Sequence, residues 1–149
     1  MCREHQKRFR LLHIIYMENK RIDLEYPLSA KSRNIVWGLI GNAAGLEKWL
    51  ADHVVENDQA LSFTWGEPWT EQDTKTAHIQ EIAKNHYIRL HWDYHEDDST
   101  FWEMRIEKSE LTDLLTLHIT DYAESDDIDY LHDLWDKNLE RLHRVSGIL

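Results

Sequence analysis

The sequence predicts an α+β domain in which one antiparallel β-sheet packs against a single long helix at the C-terminus. In the middle of the chain, segments of alternating apolar and polar residues follow one another across gaps short enough for hairpins. Strands and helices do not alternate along the chain, which excludes a doubly wound parallel sheet. Residues 126–146 carry apolar side chains three and four positions apart, the pattern of a packed amphipathic helix.

The composition is that of one globular domain. The chain has 149 residues, 42% of them apolar, which is enough to enclose a core. Its single cysteine, Cys2, cannot form an internal disulfide. No apolar run approaches the roughly 20 residues that span a bilayer, and a net charge of −11 repels nucleic-acid phosphates and anionic lipid. We therefore expect a cytoplasmic protein with no nucleic-acid partner, no membrane partner and no cofactor.

Residues 1–19 are predicted to be a leader. Four basic residues against two acidic ones give this leader a net charge of +2, which leaves −13 for the rest of the chain. A targeting peptide also begins with basic residues and an apolar patch, but here the patch is short and no small-residue cleavage site precedes Glu18. We expect either a disordered segment or a chain that starts at Met17. The predicted domain spans residues 20–147.

The first part of this domain predicts one strand and two short helices. Residues 22–28 alternate between apolar and polar side chains, and Pro27 suits a strand end. Ser29 or Ser32 can cap the first helix, and a second helix follows over residues 43–50. The apolar face of the first helix comprises Ile35, Val36, Leu39 and Ile40.

Six further strands are predicted in the middle of the chain. In the strands at 61–65, 87–94, 100–107 and 114–122, one set of alternating residues is largely apolar and the other largely polar, so we expect one face of the sheet to be buried. The predicted strands span residues 52–56, 61–65, 74–83, 87–94, 100–107 and 114–122.

The last predicted element is the long helix. Ser125 is expected to cap it, acidic residues follow in its first turn, and Gly147 is a natural stop. The apolar stripe that should face the sheet consists of Ile128, Leu131, Trp135, Leu139, Leu142 and Val145.

Four stretches of the chain resemble one family of domains. Residues 44–52 (AGLEKWLAD) resemble the short second-helix signature of START-like (SRPBCC) proteins, in the branch related to activators of the ninety-kilodalton heat-shock protein's ATPase. Residues 24–28 (LEYPL), 87–92 (YIRLHW) and 119–124 (ITDYAE) are similar to a small bacterial family of this kind. The resemblance covers about residues 20–147. It implies the helix-grip fold, a curved antiparallel sheet of six or seven strands wrapped around a long C-terminal helix, with two short helices after the first strand.

Relatives with this fold use the space between sheet and helix for apolar ligands. The resemblance, together with the inward phase of the strand residues, implies a pocket for a small hydrophobic molecule. Seven tryptophans are compatible with two outcomes, an open cavity or one filled by their rings. The candidate ligand-binding residues are Phe63, Trp65, Leu90, Trp92, Trp102, Met104, Leu117, Ile119, Leu131 and Trp135.

A metal site is the first alternative that we considered, because His91, His95 and the acidic residues at 96–98 form the densest cluster of metal-ligand types. A two-residue period places both histidines on one side of a strand. Four residues of strand span about 13 Å, however, which is too far for one ion unless the chain turns. We therefore predict no metal site and interpret this segment as a solvated hairpin tip.

Asp121 is a polar residue on the inward face, in phase with Leu117 and Ile119. Two interpretations are open. The carboxylate braces the connection into the last helix, or it forms an acid–base pair with His132 at the mouth of a cavity. We favour the brace, because no nucleophile motif accompanies the pair.

Three functions from different classes follow from these observations. The leading prediction is a domain that binds a small hydrophobic ligand and has no catalytic activity. The family resemblance also implies a cochaperone-like interaction module with a chaperone as its partner. A cyclase or hydrolase that uses Asp121 and His132 ranks last, because a fold does not determine a function.

Overall fold

The computed structural model describes residues 19–96 and 99–148. The predicted leader lies outside the described residues except for Asn19, which begins the first strand. No helix among the described residues is both long enough and apolar enough to cross a membrane. The elements are β1 (Asn19–Pro27), α1 (Arg33–Ile40), α2 (Ala43–Leu46), β2 (His53–Asn57), β3 (Ala60–Trp65), β4 (Asp73–Ala83), β5 (Tyr87–Trp92), β6 (Trp102–Lys108), β7 (Leu115–Glu124), a 3₁₀ turn (Ser125–Asp127) and α3 (Ile128–Ser146).

The seven strands form one antiparallel sheet in the order β1-β7-β6-β5-β4-β3-β2. Pairing of the first strand with the last brings Leu24 opposite Ile119. A bulge between Ile79 and Glu81 interrupts the pairing of β4 with β5, and such bulges bend a strand. The curved sheet and the long C-terminal helix confirm the predicted helix-grip α+β fold.

The core lies between the sheet and the helices. The predicted phase of the strands is confirmed for the central ones, where the inward residues are buried and their neighbours are more exposed. Three buried residues of α3 face this layer. Trp49, in the turn after α2, is also buried there, and its Nε1 donates to the Leu39 carbonyl at 2.8 Å. The buried inward residues include Leu61, Phe63, Ile88, Leu90, Trp102, Met104, Ile106, Leu117, Ile119, Trp135, Leu139 and Leu142.

Two residues assigned to apolar helix faces are exposed instead. Ile35 is 60% exposed and Val145 is 51% exposed. The inward face of α1 comprises Val36, Leu39 and Ile40, and at about 100° per residue Ile35 lies roughly a quarter turn from its centre. Val145 is displaced by a similar angle from the buried residues of α3.

The ends of the helices differ partly from the prediction. Ser125 does not cap the long helix, because residues 125–127 form a tighter 3₁₀ turn and Asp127 takes the N-cap position without a side-chain bond. At the other end the prediction is confirmed, since Gly147 adopts φ 72° and its N–H donates to the His143 carbonyl. Asn42 caps α2 by accepting a hydrogen bond from the Gly45 N–H at 2.7 Å.

Candidate functional site

A cleft of about 880 Å³ lies between the ends of the strands and the first turns of α3. Its floor comes from β3 to β6, one side from the C-terminal end of β7, and the opposite side from the helix. Among its walls are the side chains of Trp65, Asp73, Lys75, Trp92, Tyr94, Trp102, Asp121, Tyr122, Tyr130, Leu131, Leu134, Trp135 and Asn138.

An aromatic cluster closes the inner end of the cleft. Trp92 and Trp102 stack with ring centroids 5.0 Å apart, and Phe63 packs edge-on against both at 5.6 Å. Trp135 on the helix approaches Trp102 at 6.2 Å. Trp102 is buried in this cluster, and its Nε1–H has no hydrogen-bond acceptor among the described residues. Rings at these separations attract one another beyond their buried area, so the cluster joins sheet to helix.

The predicted ligand-binding residues divide into two groups. Five of them line the cleft, and five do not. The second group has 0% solvent exposure and does not line this cleft, so a role of these side chains in ligand binding stays a prediction. The residues that line the cleft are Trp65, Trp92, Trp102, Leu131 and Trp135. Those enclosed in the core are Phe63, Leu90, Met104, Leu117 and Ile119.

Both outcomes considered for the tryptophans therefore occur in different parts of the molecule. The inner space between sheet and helix is filled by packed side chains around Trp102 and Phe63. The outer space is open, and exposed side chains of Tyr94, Tyr130 and Leu134 border it. A ligand that enters this cleft meets aromatic surface without displacing the core.

Asp121 is partly buried in the wall of the cleft and ties β7 to the helix. Its Oδ2 accepts a hydrogen bond from Trp135 Nε1 at 2.9 Å, and its Oδ1 accepts one from the Tyr122 backbone N–H at 2.8 Å. Burial raises the pKa of Asp121 to about 6, although these two bonds favour the ionised carboxylate and oppose the rise. A second bond holds the helix to the edge strand, where Tyr26 donates to Asp136 at 2.7 Å.

The predicted brace is therefore confirmed, and Trp135 is its partner on the helix. The alternative, in which His132 meets Asp121 at the cavity mouth, is wrong. His132 does not line the cleft, and the two carboxylate oxygens bond to Trp135 and Tyr122 instead.

His91 and His95 are closer together than a continuous strand would allow. Because β5 ends at Trp92, the chain turns, and the two imidazole rings lie 6.3 Å apart. The ring nitrogens of His91 face carbonyl oxygens, Nδ1 that of Thr100 at 2.8 Å and Nε2 that of His95 at 3.1 Å. Whichever ring nitrogen of His91 carries the proton, it donates to a carbonyl oxygen within the turn between β5 and β6.

Sequence reasoning missed the polar and aromatic residues at the mouth of the cleft. Tyr94 continues the inward phase of Leu90 and Trp92, and Lys75 is in phase with Ala77, which is buried. The two-residue period that identified the core would have placed Tyr94 and Lys75 on the same face. Neither residue belongs to the alternating apolar side chains from which the pocket lining was predicted.

A curved sheet that grips one helix, with a cleft at the beginning of that helix, defines a helix-grip domain. A family model described as a START-like superfamily domain matches residues 16–148. The chain therefore belongs to the START-like superfamily.

Solved structures agree with this assignment. A Bacteroides fragilis protein solved by NMR is 38% identical, with a TM-score of 0.60, and the match covers 89% of this chain and 95% of that one. The Aha1 dimer from Colwellia psychrerythraea is 13% identical with a TM-score of 0.65, over 85% and 96% of the two chains. A Bacillus thuringiensis protein is 12% identical with a TM-score of 0.65, over 84% and 97%. The last two show likeness of fold alone, and no curated protein matches the chain significantly.

Proposed function

We propose that this domain binds a small, largely apolar ligand in the cleft between the strand ends and α3. The observation that carries the proposal is the open space of about 880 Å³ against the aromatic cluster. Pockets of roughly 300–1,000 Å³ hold molecules of drug size.

The walls supply two kinds of contact. Trp65, Trp92 and Leu131 offer apolar surface, and each square ångström removed from water on binding contributes about 25 cal/mol. Asp121 and Asn138 lie on the same walls and can orient a polar group of the ligand. This combination of many apolar contacts with a few polar ones is typical of ligand sites.

The proposal does not include catalysis. Asp121, the acidic residue that the sequence singled out, serves as a structural acceptor for Trp135. The cochaperone-like alternative stays a prediction, because the Aha1 structure shares the fold at 13% identity. A cytoplasmic location likewise remains a prediction from the composition.

Binding can be tested with N-phenyl-1-naphthylamine, an uncharged probe whose fluorescence rises in apolar surroundings. We expect saturable enhancement with the wild-type chain. Leu134 lines the cleft on α3, so Leu134→Asp should weaken probe binding about tenfold through lost apolar contact and a charge on the wall.

Val145→Asp is the matched control, since Val145 lies on the same helix, is also exposed and does not line the cleft. This variant should bind the probe as the wild type does. Equal losses in the two variants, or no enhancement with the wild type, would contradict the proposed site.

A further inference from the structure

We infer that the ligand is an organic cation, a substituted ammonium group on an apolar body, whose charge lies against Trp65 and Tyr94 at the cleft mouth. The inference rests on the proposed function and names the chemical class of its ligand. Three features of the cleft support it independently: the sign of its charge, the position of Lys75 and the fixed geometry of the aromatic rings.

The charge on the described walls of the cleft is mainly negative. Among these lining residues, Lys75 is accompanied by the carboxyl groups of Asp73, Asp121 and Asp127. A cleft lined by one sign of charge, with low-dielectric aromatic walls, concentrates the field and attracts the opposite charge. The net charge of −11 on the whole chain acts in the same direction.

Lys75 already shows how an ammonium group fits this mouth. Its Nζ lies 5.9 Å from the ring centroid of Trp65 and 5.5 Å from that of Tyr94. Both distances are within the roughly 6 Å at which a cation is attracted to an aromatic face. The Lys75 Nζ is also 3.8 Å from Asp73, an exposed pair that contributes little. The ammonium group of a ligand can therefore replace that of Lys75, which is weakly held, at the rings of Trp65 and Tyr94.

The two rings are fixed in place before any ligand arrives. Trp65 Nε1 donates to the Leu50 carbonyl at 2.9 Å, and the ring of Trp65 stacks on Phe63 at 6.1 Å. Tyr94 stacks on Trp92 at 5.9 Å with an interplanar angle of 19°. Ordered rings lower the entropy cost of binding.

An anionic ligand fits the same cleft poorly. Its charge would come close to Asp73 and Asp121, both of which act electrostatically on Tyr94. Burial raises the pKa of the Tyr94 hydroxyl, and the negative charges of Asp121 and Asp73 raise it further. The carboxylates of Asp73 and Asp121, which line the same cleft, would repel the charge of an anionic ligand.

The test compares three molecules of similar size that share a phenyl ring: trimethyl(2-phenylethyl)ammonium, neutral 4-phenylbutan-2-ol and anionic 4-phenylbutanoate. We expect the cation to bind the full chain at least tenfold more tightly than either of the others, by calorimetry at low salt. If the neutral alcohol binds as well as the cation, the inference fails and the proposed function stands. If none of the three binds, both fail.

Substitution of Lys75 should change the affinities for the cation and the anion in opposite directions. Lys75→Met removes the internal ammonium group from the aromatic faces, so we expect the cation to bind severalfold more tightly. Lys75→Arg, which keeps the charge, should bind it as the wild type does. Weaker binding of the cation to Lys75→Met, or tighter binding of the anion, would overturn the inference.

Tyr94 provides a second pair of variants at an exposed position, where folding is not at risk. Tyr94→Leu removes one aromatic face and should weaken binding of the cation severalfold, with little change for the neutral alcohol. Tyr94→Phe keeps the face and should bind the cation normally. Equal affinity of the cation for both variants would contradict a role of the ring.

Discussion

Replacement of Phe63 by alanine is expected to lower the free energy of unfolding by about 3–5 kcal/mol. The ring is fully buried and contacts Trp65, Trp92 and Trp102 at centroid distances of 5.6 to 6.1 Å. The three tryptophans also line the cleft, so the surrounding side chains cannot collapse inward without moving the cleft walls. Urea unfolding of both proteins measures the loss.

Trp69→Ala is the control for this experiment, since it also removes an aromatic ring. Trp69 is 80% exposed, in the loop between β3 and β4, and its loss should change stability by no more than about 0.5 kcal/mol. Comparable losses at Phe63 and Trp69 would show that the aromatic cluster does not hold the sheet to the helix.

The second large effect is a dependence of stability on pH that comes from Asp121. Its pKa is about 6 in the folded chain and near the ordinary value of 3.8 when unfolded. Between these values the folded state retains a proton that the unfolded state has released, so stability falls as pH rises from about 4 to 6. Above pH 6 the full penalty, roughly 3 kcal/mol, is present, and below pH 4 it is absent.

Asp121→Asn should remove this dependence. The amide can satisfy one of the two donors, Trp135 Nε1 or the Tyr122 N–H, so some stability is lost at every pH. Relative to the wild type, however, the variant should gain roughly 3 kcal/mol as pH rises from 4 to 6. Asp126→Asn, in the exposed turn before α3, should run parallel to the wild type. A constant difference between Asp121→Asn and the wild type would contradict the burial of an ionisable carboxyl group.

Much of this architecture could be predicted because a strand shows its buried face directly. Phe63, Leu90 and Leu117 were placed on the inward face by the two-residue period, and all three are buried. The same period does not show which inward residues are enclosed in the core and which border the open cleft. It could not show that Leu90 and Leu117 lie under packed side chains while Trp92, near the end of its strand, borders open space.

The remaining differences have local causes. Ser125 was chosen as a cap from its residue type, but the chain enters the helix through a 3₁₀ turn, where the backbone bonds differently. The partner of Asp121 depended on which side of the last helix faces β7. The helical stripe places Trp135 toward the sheet, and its indole N–H reaches the carboxylate.

The cleft at the aromatic cluster is most directly tested by the indole N–H signals of the seven tryptophans in ¹H–¹⁵N NMR spectra, during titration with neutral 1-naphthol. We expect the signals of Trp65, Trp92 and Trp135, which line the cleft, to shift as the cleft fills. Those of Trp49 and Trp69, which lie elsewhere, should stay in place. Shifts confined to Trp49 and Trp69, or no shifts at saturating naphthol, would contradict binding in this cleft.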